Sequence, residues 1–272
     1  MKGFSLNIIR EKLALNATTI KIIAIVLMVA DHIHQMFAPV GAPLWLTWLG
    51  RPVFALFLFA AADSWHYTKN RKKYLLRLLC GSWAVTLLTR VIDWILPNED
   101  IALMNNAFTT FFVTALYMLS CDIFADGVKN KKAGKIIGAI ALFLAPIVIA
   151  IPFLMAVNVD FSSRIVKQIV FTVPLLIPNV VFIEGGFGMV LIGLLFYIFR
   201  KWRWAQIAAL AALSVLAFVT SKGESVQWMM IFAALPMALY NGEKGRGIKY
   251  FFYIFYPAHI YILYSIATLW KG

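Results

Sequence analysis

Apolar stretches long enough to cross a bilayer follow one another almost from end to end of this chain, and no other feature constrains its fold as much. A spanning helix needs about 20 mostly apolar residues. In hydrocarbon, every backbone N–H and C=O must find a partner within the protein, so stretches of this kind fold as helices. Candidate spans lie near 19–38, 44–63, 75–96, 104–124, 134–156, 186–200, 204–220, 226–241 and 248–269. The stretch 165–184 is a tenth, doubtful segment. Composition agrees: 62% of the 272 residues are apolar and 14% are charged, against about half and about a quarter in soluble domains. The expected fold is all-α, a polytopic transmembrane helical bundle of nine to ten spans. It forms one membrane domain over residues 1–272.

The net charge of +13 does not call for nucleic acid. Lys and Arg cluster in the short breaks between apolar segments, where the positive-inside rule puts them, and anionic membrane lipids account for them. Cys80 and Cys121 lie in apolar segments without paired spacing, so neither a disulfide framework nor a metal site is expected. The first long apolar run carries Asp31, His32 and His34 and lacks a small-residue cleavage pattern, which argues against a signal peptide.

The basic breaks at 69–77, 129–135, 200–203 and 244–249 read as cytoplasmic, and Pro97-Asn98-Glu99-Asp100 reads as outside. The N-terminus is then cytoplasmic. Between 135 and 200 the number of crossings must be even, yet three candidate segments lie there. Segment 165–184 is the one expected not to cross. It holds Pro174 and Pro178, is flanked by Arg164 and Lys167, and ends in Glu184-Gly185-Gly186. Prolines four apart disturb the helix ladder, and broken backbone is tolerated where it lines a cavity. A re-entrant segment restores parity; the alternative is that all ten segments cross and the charge rule fails once.

Ionisable residues inside spans are costly and mark function by default. The candidates are Asp31, His32, His34, Arg90, Asp93, Glu184 and His259; Asn105, Asn106, Thr109 and Thr110 are milder. Asp31 and His32 are adjacent, so a helix turns them about 100° apart. Lys21 lies eleven positions before His32, about three turns, which puts both on one face with Lys21 about 16 Å nearer the cytoplasm. Histidine is the side chain suited to proton transfer near neutral pH. His259 follows Tyr256-Pro257-Ala258 at a similar depth, which suggests one cavity for both histidines. A structural role for each, bonded to a neighbouring helix or to a carbonyl freed by Pro257, stays open. Arg51 follows Gly50 near the outer interface, within reach of Asp31 across the first loop. Arg90 and Asp93, three apart, read as a local ion pair.

Several blocks together resemble the TraX family. They are Leu27-Met28-Val29-Ala30-Asp31-His32-Ile33, Gly50-Arg51-Pro52-Val53-Phe54-Ala55-Leu56-Phe57, and the basic run Tyr67 to Leu78. The last is Tyr240-Asn241-Gly242-Glu243-Lys244-Gly245, leading into Lys249 to His259. The resemblance runs from about residue 19 to 265. It implies a membrane acetyltransferase that takes acetyl groups from acetyl-CoA, as in pilin acetylation, and that sits in the bacterial inner membrane. Lys21 and His32 reproduce the spacing of a basic residue, ten positions and a histidine found in similar membrane acyltransferases. On this reading His32 is the general base, Asp31 its supporting neighbour and His259 a second catalytic candidate. Lys21, Arg51, Arg71, Lys72 and Arg77 face acyl-CoA, and Tyr256, Asn241 and Glu184 face a peptide, lipid or glycan acceptor. The rivals are a transporter or flippase and a non-catalytic assembly partner.

Overall fold

The computed structural model describes residues 14–103, 106–156, 159, 163–247 and 249–271; Asn105 and residues 1–13 lie outside them. The described residues form helices and no strand. In chain order these are α1 Ala17–Phe37, α2 Trp45–His66, α3 Arg71–Ile95, α4 Ala107–Lys129, α5 Ala133–Ala156, α6 Arg164–Leu176, α7 Gly186–Ile198, α8 Arg203–Thr220, α9 Ala234–Leu239 and α10 Lys249–Lys271. A 3-10 helix over Val226–Ala233 runs into α9. Seven helices, α1 to α5, α8 and α10, are long and apolar enough to cross a membrane, and Gly186–Ile198 and Val226–Leu239 are shorter apolar segments. The protein is a multi-pass membrane protein, and these nine segments agree with the count expected.

Two compact units interleave along the sequence. One comprises Met1–Asp63, Asn98–Ala102 and Ile198–Gly272; the other comprises Ser64–Pro97 and Leu103–Tyr197.

In the first unit α1 and α10 run in parallel. The Lys21 ammonium stands 5.7 Å from the centre of the Phe252 ring, and further along both helices His32 meets His259. Helix α2 runs the other way. Its start meets the end of α1 through Arg51 and Asp31, while Asp63, near its end, lies in electrostatic range of Lys21. Asn16 caps α1, its side chain accepting from the Thr19 N–H at 2.9 Å. Arg203, at the start of α8, lies over the rings of Phe59 and Tyr240, 4.5 and 4.7 Å from their centres. It donates to the Met237 carbonyl at 3.1 Å. The chain therefore leaves through α8 and returns to the same end through Val226–Leu239. An α-helix rises 1.5 Å per residue and a 3-10 helix about 2.0 Å. The eight 3-10 residues followed by six α-helical ones reach about 25 Å, close to the roughly 27 Å of the 18-residue α8.

The ends of this unit sort the polar breaks. The N-terminal end of α1 holds Lys21, Asp63, Arg203 and the loop after Tyr240. The opposite end holds His34, Arg51 and Asn98, whose amide donates to Thr268 at 3.0 Å.

In the second unit α4, α5, α7 and the chain before α7 pack around Val113, Tyr117, Ile183, Val190 and Leu194, and Tyr117 stacks on Phe143 with ring centres 4.3 Å apart. The doubtful segment 165–184 is helical only to Leu176. It is not one of the nine apolar segments counted above. The chain after it is held by Asn179, which is fully buried. Its amide donates to the carbonyls of Pro174 and Ile177 at 2.8 and 2.9 Å, and its oxygen accepts the N–H groups of Val181 and Phe182 at 3.0 and 2.9 Å. One side chain replaces the helix ladder where the backbone breaks. The pair expected of Arg90 and Asp93 is an electrostatic interaction and not one of the contact-distance salt bridges found among the described residues. Three apart, the two share a helix face without being obliged to close.

Candidate functional site

Four elements of the first unit converge on the C-terminal half of α1. Asp31, His32 and His34 come from α1, Thr47 and Arg51 from α2, Gln227 from the 3-10 helix, and Phe255, Tyr256 and His259 from α10. The sequence permits this approach at Gly50. A Cβ there would stand 2.2 Å from Asp31 Cγ, so only glycine lets α2 lie against the carboxylate.

The Asp31–Arg51 pair is closed. Arg51 donates to both carboxylate oxygens of Asp31, at 2.9 and 3.1 Å. Its Nε donates to the Thr47 carbonyl at 3.1 Å and its third nitrogen to Gln227 at 3.3 Å. Both side chains are about a quarter exposed. Thr47 Oγ1 lies 2.7 Å from His34 Nδ1 and also bonds Asp31. Asp31 is thus fully engaged by α2, about a third of a turn away from His32.

His32 and His259 are both buried, with His32 Nδ1 2.6 Å from His259 Nε2. His259 Nδ1 lies 2.8 Å from the Phe255 carbonyl oxygen. A carbonyl only accepts, so Nδ1 carries the hydrogen, and a neutral imidazole has only one. His259 Nε2 is then the acceptor and His32 Nδ1 the donor. This leaves Nε2 of His32 as the basic nitrogen. The partner of His259 is the carbonyl four residues before it; Pro257 withdraws its own N–H from Tyr253, two residues further back. Ring stacking fixes the orientation. The centres of His32 and His259 are 4.9 Å apart, those of His259 and Phe255 5.0 Å, and those of Phe255 and Phe251 5.1 Å. The spacing 251, 255, 259 puts three of these rings on one face of α10. The arrangement is a buried base with a fixed tautomer, beside an arginine whose charge reaches it.

Of the other residues singled out in the sequence, Tyr256 is buried with its ring edge toward His259. Lys21 is on the same helix as His32, about 16 Å away. Asn241 lies at the N-terminal end of α1 with the loop it organises, about 24 Å along the helix from His32, too far to hold an acceptor at that base. Its oxygen accepts the Glu243 N–H and its amide donates to the Glu243 carboxylate.

Arg71, Lys72, Arg77 and Glu184 belong to the second unit. Arg71 is paired with Asp122 at 2.9 Å and lies over Trp65, 5.3 Å from its centre. Asp122 also accepts from Trp65 Nε1 at 2.9 Å and from the Tyr197 hydroxyl, so this arginine is part of a closed polar cluster. Lys72 is exposed. Arg77 is partly buried, with its Nε lacking a partner among the described residues. The Glu184 carbonyl accepts from Thr110 at 2.8 Å. Thr47, Gln227, Asp63 and Asp122 were not legible as site residues. The first two are neutral and the last two sit near span ends, where charge is ordinary.

The family model described as "TraX protein" matches residues 16–161 and 142–267. The chain is similar to a protein of Dichelobacter nodosus described as "Probable fimbrial assembly protein FimC, serogroup H1", with 24% identity over 267 residues, 92% of this chain and 95% of that protein. No solved structure matches the chain.

Proposed function

The chain belongs to the TraX family, and from that premise we propose that it is an integral membrane acetyltransferase. The donor is acetyl-CoA and the acceptor an amine or hydroxyl of a pilin-like peptide or another envelope molecule. The observation that carries this reading is the Phe255–His259–His32 chain, which leaves a basic nitrogen on His32 deep in the protein. Nε2 takes the proton of the acceptor as its nitrogen or oxygen attacks the acetyl carbonyl; the C–S bond then breaks and the thiolate of CoA leaves. The imidazolium so formed keeps its Nδ1–H on His259, which stabilises it. Arg51 supplies positive charge beside the reacting groups. The chain lies in the inner membrane with its N-terminus in the cytoplasm, following the positive-inside rule.

General-base assistance is worth about 10²–10⁴ in rate. His32→Ala is expected to lower thiol release from acetyl-CoA by that factor, at unchanged expression, in an assay of the purified protein with candidate acceptors. Equal turnover by the variant sinks the mechanism. A non-catalytic assembly role is the second reading, favoured by the fimbrial-assembly description of the relative. Acceptor-dependent thiol release by the wild-type protein excludes it; pilus defects complemented by His32→Ala support it.

A further inference from the structure

The loop after Tyr240 is tied to the first turn of α1 by its own backbone. The Asn241 N–H donates to the Leu15 carbonyl at 2.9 Å. The Glu243 carbonyl accepts the Ala17 N–H at 2.8 Å, and Thr18 Oγ1 donates to the carbonyls of Lys244 and Arg246 at 3.1 and 2.6 Å. Gly245 has φ +68°, and a Cβ there would stand 2.4 Å from Asn16 Oδ1, so the close approach requires glycine. The side chains of Lys244 and Arg246 take no part in this anchoring and are exposed. Lys244 is nonetheless close enough to Lys21 for the two charges to repel. Two carboxylates lie at this end: Asp63, which accepts from the Tyr240 hydroxyl at 2.8 Å and attracts Lys21, and Glu243, which accepts from Asn241. They offset only part of the positive charge of Lys21, Arg203, Lys244 and Arg246. Arg203 at the same end is engaged by the Met237 carbonyl and two rings. A fold that fixes like charges side by side gains from an anion between them.

We propose that Lys244 and Arg246, with Lys21 beneath them, form a phosphate-binding station at the N-terminal end of α1. Its ligand is the phosphate groups of acetyl-CoA, an identification that rests on the acetyltransferase reading; the same chemistry suits the phosphate of an anionic lipid headgroup. The station lies on the helix that carries His32, about 16 Å from it. It supplies phosphate contacts from the unit that holds the histidine pair, whereas Arg71 is already neutralised by Asp122.

The test is the double variant Lys244→Ala/Arg246→Ala of the full chain, with Lys244→Gln/Arg246→Gln as the polar control that keeps side-chain bulk. Because carbonyls hold the loop, both variants are expected to keep the wild-type unfolding midpoint. Equilibrium dialysis with labelled CoA in neutral detergent reads the first ligand; retention of phosphatidylglycerol over phosphatidylcholine on the purified protein reads the second. In the expected result both variants weaken CoA binding about tenfold at low salt, and the difference fades at high salt. If wild type binds no CoA but retains phosphatidylglycerol, and both variants lose that retention, the station stands with a lipid as its ligand and the acetyl-CoA reading falls. If wild type and variants match in both measurements, or wild type binds neither ligand, the proposal is overturned.

Discussion

A single hydrogen decides which nitrogen of His32 is basic. His259 Nδ1 holds it against the Phe255 carbonyl, and every other proton in the chain follows. His259→Ala removes this control while leaving His32 in place; it is expected to lower kcat by about 10²-fold with a smaller change in KM, measured by thiol release. His259→Asn, whose amide oxygen can accept from His32, is expected to recover part of the loss. Gly50 is the steric counterpart. Gly50→Ala pushes a methyl group into Asp31, an overpacking worth about 1–3 kcal/mol, and is expected to lower the unfolding midpoint in detergent and to loosen the Asp31–Arg51 pair. A wild-type midpoint for this variant contradicts the packing described. The charged members of this group were legible because charge inside an apolar helix is costly. Thr47 and Gln227 carry no such cost, so no sequence signal separated them from their neighbours.

At the level of elements, the two irregular segments behave oppositely. Val226–Ala233 stretches without breaking, because the 3-10 form rises further per residue. The chain after Leu176 breaks, and Asn179 fills all four hydrogen-bonding capacities of its amide to hold it. Asn179→Ala leaves two carbonyls and two N–H groups to find new partners and is expected to cost about 2–4 kcal/mol. Asn179→Asp keeps the two acceptor bonds but sets a buried carboxylate oxygen against the Pro174 and Ile177 carbonyls, so its loss should be larger. Thermal unfolding of the purified variants checks the order; equal midpoints for all three proteins refute it. The prolines of 165–184 predicted a break, since each removes a ladder bond. Nothing in the composition of 226–241 distinguished a 3-10 helix from an α-helix, because both turn apolar side chains outward.

For the whole molecule, the first unit predicts which breaks share a side. In a background lacking Cys80 and Cys121, cysteines introduced at Glu243 and Lys201 are expected to react with an impermeant thiol reagent from one face of the membrane, and a cysteine at Gly41 from the other. Labelling of Glu243→Cys and Gly41→Cys from the same face contradicts a crossing α1.

Helical class, the approximate spans and the depth of the ionisable residues are determined by the amino-acid sequence alone. They follow from one local requirement, that apolar backbone in hydrocarbon bond to itself. The family likeness added an expected chemistry. Sequence put Arg51 within reach of Asp31 and His259 at the depth of His32; only the tertiary structure closed those pairs and joined the 241–247 loop with α1 and Arg71 with Asp122. Each joins residues on different elements. Hydropathy sets how deep a side chain lies and leaves the rotation of its helix undetermined; packing against neighbouring helices decides that rotation, and with it which polar groups meet.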